Sequence, residues 1–433
     1  MTPTLIGVVG IFALFTLIFS RMPIGFLMAM IGFVGFGVIV SFGASMNLVV
    51  KDLFAVFGSY DLTVIPLFVL MGQVAFHAGI SSRLFDAAYK NIGHLPGGLA
   101  IATIGACAAF AAICGSTNAT AATMAAATLP EMKRYNYRIT LATGAVAAGG
   151  SLGILIPPSV IFIVYGILTE QSIGELFLAG ILPGLLLTGL FVVTILVWAA
   201  IQPDLGPPGP RTTIREKVAS FSGVFETILI FFLVMGGLFA GIFTPTEAGA
   251  VGAFGTIVLA VIRRNLSWKG FVTSLFETTR ISCMILVIVA GATIFGHFLA
   301  ISRIPFDIAN WISGFALPPA VIILLIILVY LIGGCFIDSL ALIMLTVPIF
   351  YPVIVQFGLD PVWFGVIIVL VTQIGVITPP VGINVYVVSG VAREVPLELI
   401  FRGAFPFLLA MVAGTLLLIA FPQIALFLPG LIR

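Results

Sequence analysis

The sequence predicts an all-α polytopic membrane protein built as two inverted repeats, each with five transmembrane helices and one re-entrant hairpin. Three observations carry this expectation: the composition, a recurring sequence offset, and the distribution of basic residues. Of 433 residues, 61% are apolar and 8% charged, whereas a soluble domain carries roughly 25% charged residues. So few charges cannot clothe a water-facing surface, and apolar runs of about 20 residues, the length that crosses a hydrocarbon core, recur throughout. A net charge of +2 without a basic patch argues against nucleic acid as a partner. A lipid bilayer is the expected surrounding.

The second observation is a duplication. Pro23 matches Pro245 and Pro157-Pro158 match Pro379-Pro380, all at an offset of 222 residues; Phe85-Asp86 match Phe306-Asp307 and Cys114 matches Cys335 at 221. Pro130 pairs with Pro348 at 218, and Glu175, Gly180 and Pro183 pair with Glu398, Gly403 and Pro406 at 223. A series that holds its offset this closely predicts a first repeat over residues 1–200 and a second over 223–433. The Pro-rich stretch 201–222 reads as a cytoplasmic linker. Repeats of this kind build many secondary transporters.

Within the first repeat, hydropathy predicts spans near 4–20, 23–42 and 62–79, then an amphipathic arm from Ser81 to Gly93. Residues 1–20 lack the basic flank and small-residue cleavage site of a signal peptide, so they are expected to stay as the first span. Arg21 is an anchor at its end. Two apolar pieces, 97–113 and 118–130, flank Cys114-Gly115-Ser116-Thr117 and form hairpin 1, about 97–132. A segment at 138–168 is broken by Pro157-Pro158, and 176–200 closes the repeat. The second repeat reads as 224–243, 247–262, 281–300, an arm at 302–315, hairpin 2 at about 318–355, a broken span at 362–390, and 399–421.

The third observation decides the topology. With each hairpin re-entrant, all but Lys51, Arg303 and Arg433 of the 18 basic residues fall on one side. If the first piece of each pair crossed instead, the bias would weaken. The positive-inside rule therefore favours ten spans, an odd number per repeat, inverted repeats and both termini outside.

Irregular backbone at membrane depth is tolerated only where protein or water lines it. Four segments predict such backbone: the tips ICGSTNAT (113–120) and GGCFIDSLA (333–341), and the breaks GGSLGILIPPS (149–159) and TQIGVITPPVGIN (372–384). Broken helices expose carbonyls suited to a small cation and helix N-termini suited to a carboxylate. Ser116, Thr117, Asn118, Ser339 and Thr378 add neutral oxygens. Asp338 is the one carboxylate deep in a tip, hence a functional candidate, and it also suits a helix N-cap. His77 and His297 fit interhelical hydrogen bonds, and Glu247 fits a helix N-terminus. The four cysteines lie in apolar segments without metal spacing. No nucleotide-binding G-x-x-x-x-G-K-[ST] or zinc H-E-x-x-H occurs, so neither an ATPase nor a metallohydrolase is expected.

These segments carry a resemblance. P-I-G-F at 23–26, VIPLFVLMG at 64–72, AAICGSTNATAATM at 111–124 and GGSLGILIPPS are joined by FTPTEAGAVGA at 243–253, IDSLALIMLTVPI at 337–349 and GVITPPVGINVYV at 375–387. In this order they resemble the large membrane subunit of TRAP transporters, the tripartite ATP-independent periplasmic family for C4-dicarboxylates, sialic acid and related acids. The resemblance covers essentially the whole chain.

It implies an elevator-type transporter, not an enzyme, in the bacterial inner membrane, importing an organic acid anion with sodium as coupling ion and no other cofactor. It implies two partners: a periplasmic substrate-binding protein, and a small four-helix membrane subunit expected on a separate chain because this one starts at span one. Sodium positions carried over from the family fall on Ser116, Thr117 and Asn118 with Gly150 and Gly153, and on Asp338 and Ser339 with Gly375 and Thr378. The substrate pathway falls on Ser116, Asn118, Pro157, Pro158, Pro379, Pro380 and Asn384. A self-sufficient elevator-type sodium/divalent-anion symporter is the rival reading, and a channel or membrane-embedded enzyme a more distant one.

Overall fold

The computed structural model describes residues 2–20, 22–209, 211–313 and 318–431. Arg21 and Arg433, the two ends of the topology expectation, lie outside the described residues, as does the end of the arm expected at 302–315. Every regular element described is helical. The first half contains α1 (Pro3–Ile18), α2 (Ile24–Ile39), α3 (Phe42–Phe57), α4 (Val64–His77), α5 (Ile80–Ile92), α6 (Gly98–Cys114), α7 (Thr117–Arg134), α8 (Ile139–Ser151), α9 (Val160–Thr169) and α10 (Ile173–Ile201). The second contains α11 (Ile214–Phe239), α12 (Pro245–Ile262), α13 (Trp268–Ser302), α14 (Ile304–Ser313), α15 (Pro319–Gly334), α16 (Ser339–Gln356), α17 (Pro361–Ile377), α18 (Ile383–Val391), α19 (Leu397–Ala420) and α20 (Gln423–Gly430).

Local chemistry explains most boundaries. Thr213 with Glu216 and Thr244 with Glu247 form capping boxes that start α11 and α12, satisfying backbone donors at both helix ends. Glu247 thus has the ordinary N-terminal role expected of it. Asp360 accepts from the N–H groups of Val362 and Trp363 at 2.8 and 3.0 Å and starts α17.

Three boundaries depart from the sequence expectation. The linker ends early: its Thr213 cap begins α11 at Ile214, nine residues before the expected second repeat. Its remaining chain is strapped down, with Gly97 N–H donating to Gly206 O, Arg138 N–H to Leu205 O, Gly209 N–H to Gly93 O, and the Thr212 hydroxyl to Lys90 O. An unexpected α3 precedes α4 at a bend of 54°; it begins at the Ser41 cap, and the charged Lys51-Asp52 pair masks it in a hydropathy scan. In the second half the corresponding stretch is one continuous 35-residue helix, α13, longer at its N-terminus than the expected span.

By length and composition, six of the described helices are long and apolar enough to cross a membrane: α10, α11, α12, α13, α16 and α19. The bent pair α3 and α4 makes a seventh when taken as one span. The other expected spans are either 16 residues long (α1, α2) or interrupted (α8 with α9, α17 with α18).

The densest packing groups the helices into two bodies joined through α5, which packs on both α6 and α11. In one, α2 packs on α13 and α4 on α12; in the other, α8 packs on α19 and α10 on α17. Glycines let the backbones touch. A Cβ on Gly291 would stand 2.0 Å from Gly25 O, and one on Gly144 would stand 2.1 Å from Gly403 O. Small residues are the usual means of close helix approach where lipid offers no hydrophobic drive. His77 Nδ1 meets Ser274 Oγ at 3.2 Å, and His297 Nε2 meets Asp52 Oδ1 at 3.4 Å, so both histidines join α13 to neighbouring helices.

Candidate functional site

The two tips meet at the seam between these bodies. A cavity of about 110 Å³ is lined by Ser116, Thr117 and Asn118 from the first tip and by Asp338, Ser339 and Leu340 from the second. Val69 and Gln73 of α4, with Ile281, Met284 and Ile285 of α13, close it from the other body. Among the described residues, Asp338 is the cavity's one carboxylate, and no lysine, arginine or histidine lines it.

The first tip is built from a turn only glycine adopts easily. Gly115 has φ +60°, and a Cβ there would lie 2.7 Å from Pro158 O, in the left-handed region that disfavours side chains. Ser116 then caps α7, its hydroxyl accepting from Ala119 N–H at 3.4 Å. Gly153, in the 3-10 turn after α8, lies so close that a Cβ would stand 2.5 Å from Ser116 O. Gly150 plays the same part behind the tip, against Ala121 and Asn384. The break at Pro157-Pro158, a cis bond like that of Pro379-Pro380, is buried and supports the tip from behind without lining the cavity.

The second tip is capped by Asp338, whose Oδ2 accepts from Leu340 N–H at 3.1 Å. Asp338 is nevertheless exposed and lines the cavity, so capping leaves it on the cavity wall. Gly375 packs against the backbone of Gly334, where a Cβ would come within 2.4 Å. Thr378 is turned away: its hydroxyl donates to Ile374 O at 2.6 Å. Pro379 and Pro380 are exposed, and Pro379 lines a separate depression with Glu398 and Arg402. Asn384 is buried and donates to Ala147 O at 3.0 Å, joining α18 to α8. The cavity therefore gathers Ser116, Thr117, Asn118, Asp338 and Ser339, while Gly150, Gly153 and Gly375 are packing contacts behind it. Thr378, Asn384 and the four prolines do not reach it.

One residue was not singled out from the sequence. Gln373 of α17 is fully buried; it accepts from the Thr117 hydroxyl at 3.2 Å and donates to the Ser339 hydroxyl at 3.1 Å. Its signal was present: an amide within an otherwise apolar run is a polar group that must find partners.

The profile described as "Tripartite ATP-independent periplasmic transporter, DctM component" matches residues 11–424. The chain belongs to this family. It is 38% identical over 372 residues to the C4-dicarboxylate TRAP transporter large permease protein DctM of Pseudomonas aeruginosa, covering 86% of each chain. It is 34% identical to the sialic acid TRAP transporter large permease protein SiaM of Vibrio cholerae, covering 98% of each. The isethionate TRAP transporter permease protein DctMQ of Oleidesulfovibrio alaskensis is 36% identical, covering 97% of this chain and 66% of that one. The YdaH transporter of Alcanivorax borkumensis shares the fold, with a TM-score of 0.65 at 15% identity, covering 89% of this chain and 90% of that one. This DctM-family chain is thus a multi-pass transporter permease and not an enzyme.

Proposed function

We propose that this permease couples sodium entry to import of a small organic acid anion across the bacterial inner membrane. One observation carries the reading: two tips, far apart in sequence, converge on a cavity that, among the described residues, has one carboxylate, several neutral oxygens and no cationic side chain. Such a site favours a small cation. An anion is repelled by Asp338 alone and becomes welcome once cations have entered, which is the physical basis of obligatory symport. The hard oxygens present suit sodium rather than a transition metal. The cavity's place between two packed bodies supports an elevator motion, in which the tips and breaks ride together past α4 and α13. The exchanged pairs, α2 with α13 against α4 with α12, support an internal duplication.

The substrate is of the class that the relatives' names describe, a C4-dicarboxylate, sialic acid or a similar acid. It is delivered by a periplasmic binding protein to this chain and a small four-helix membrane subunit, with both termini periplasmic. Reconstitution into liposomes under an inward sodium gradient tests the proposal, adding each partner in turn. Uptake is expected only with all three components, and Asp338→Asn should weaken the apparent sodium affinity by about tenfold, as losing one charge-assisted contact would. Sodium-independent uptake would overturn the coupling. Robust uptake by this chain alone would instead favour the self-sufficient symporter.

A further inference from the structure

Thr117 and Ser339 open the helices that return from the two tips, and both hydrogen-bond to Gln373. A buried amide without partners is costly, so its two hydrogen bonds are strongly held. Each ends on a hydroxyl at the first turn of a tip helix. The bridge also has a direction. Thr117 donates to the amide oxygen, and Ser339 accepts from the amide N–H. Two residues further along α17, Gly375 touches the backbone at Gly334, where the first arm of the second tip ends. One turn of α17 therefore grips both arms of the second tip and, through Gln373, the start of α7.

We propose that Gln373 is the positioning residue that couples the two tips, so that a change at one is transmitted to the other through a single side-chain amide. Neither tip can shift its hydroxyl without breaking a hydrogen bond that orients the other. The coupling itself needs no bound ion. Its consequence, that sodium occupancy of the tips is cooperative, rests on the function proposed above.

Hydrogen exchange of the purified full chain in nanodiscs separates these claims. In the chain with Gln373, Thr117→Val should accelerate exchange not only in peptides over 111–120 but also over 335–341. The distant effect should be about threefold or more, the low end for coupled neighbours. In a Gln373→Leu background the same substitution should leave 335–341 unchanged. If Gln373→Leu does not fold, the pair Thr117→Val and Ser339→Ala replaces it, and non-additive exchange in the double variant is expected. A second tip indifferent to Thr117→Val, or fully additive effects, would overturn the proposal. Sodium titration forms the other arm: both tips should gain protection in one transition with Gln373 and in two with Leu. Absence of any sodium protection alongside an intact cross-effect would remove the ion reading and leave the coupling standing.

Discussion

From Val160 to Gly166, α9 is buried on every side, whereas α18, at the matching place after the second Pro-Pro break, exposes Tyr386 by 50% and Val391 by 43%. The breaks before them differ likewise: Pro157 and Pro158 are buried and Pro379 and Pro380 exposed. The two amphipathic arms repeat the contrast. Arg83 of α5 reaches Glu226 at 3.0 Å, and Glu226, nearly buried, also meets Arg263 at 2.8 Å. On α14 the corresponding tie is an exposed hydrogen bond from the Thr4 hydroxyl to Asp307 at 2.9 Å. Proline ends a helix wherever it falls. Whether the interruption then serves as packing or as surface depends on what the neighbouring helices bring to it.

The largest test of this contrast is Phe162→Ala against Tyr386→Ala. The Phe162 ring lies against Gly180 and is fully buried, so its removal should cost about 3–5 kcal/mol, as large core truncations do. Loss of the half-exposed Tyr386 should stay within about 0.5 kcal/mol. Thermal unfolding in detergent reads both, and equal losses would break the contrast.

Gly153→Ala comes next, because its new methyl meets the Ser116 carbonyl rather than a flexible side chain. Overpacking of this kind costs about 1–3 kcal/mol, and under the proposed elevator motion uptake should fall with it. Gly390→Ala, with nothing within 4 Å of the added carbon, should stabilise by about 0.5–1 kcal/mol through better helix propensity. A stabilised Gly153→Ala chain would show that the first break is no more tightly set than the second.

The smallest expected effect concerns the arms. Glu226→Ala leaves Arg83 and Arg263 without their shared carboxylate. The loss should be about 1–2 kcal/mol, below that of a wholly buried pair, since both arginines reach solvent. Thr4→Val should change stability by less than about 0.5 kcal/mol. Reversal of that order in thermal unfolding would place the firmer arm in the second half.

Much of this molecule was legible in its letters because backbone groups in lipid must be satisfied locally, so apolar length, proline and glycine mark helices and their ends with little competition. The pieces on either side of Gly115-Ser116 and of Asp338, the interrupted spans and the helix start near Glu247 all follow from that constraint. The α3 helix did not, because Lys51 and Asp52 make it amphipathic, and neither did the N-terminal part of α13. Ser116, Thr117, Asn118, Asp338 and Ser339 were recognisable as candidates from polarity at depth. Their convergence was not, since residues more than 200 positions apart meet only through helix packing. Thr378 illustrates the converse: its hydroxyl suited the site by type, but the α17 backbone claims it. Sequence by itself determined the class, most of the helices, their breaks and the polar residues at those breaks, all properties of short segments in an apolar solvent. Tertiary structure alone decided which break is buried, which oxygens face one cavity, and that Gln373 joins the two tips, because each depends on which helix a segment meets.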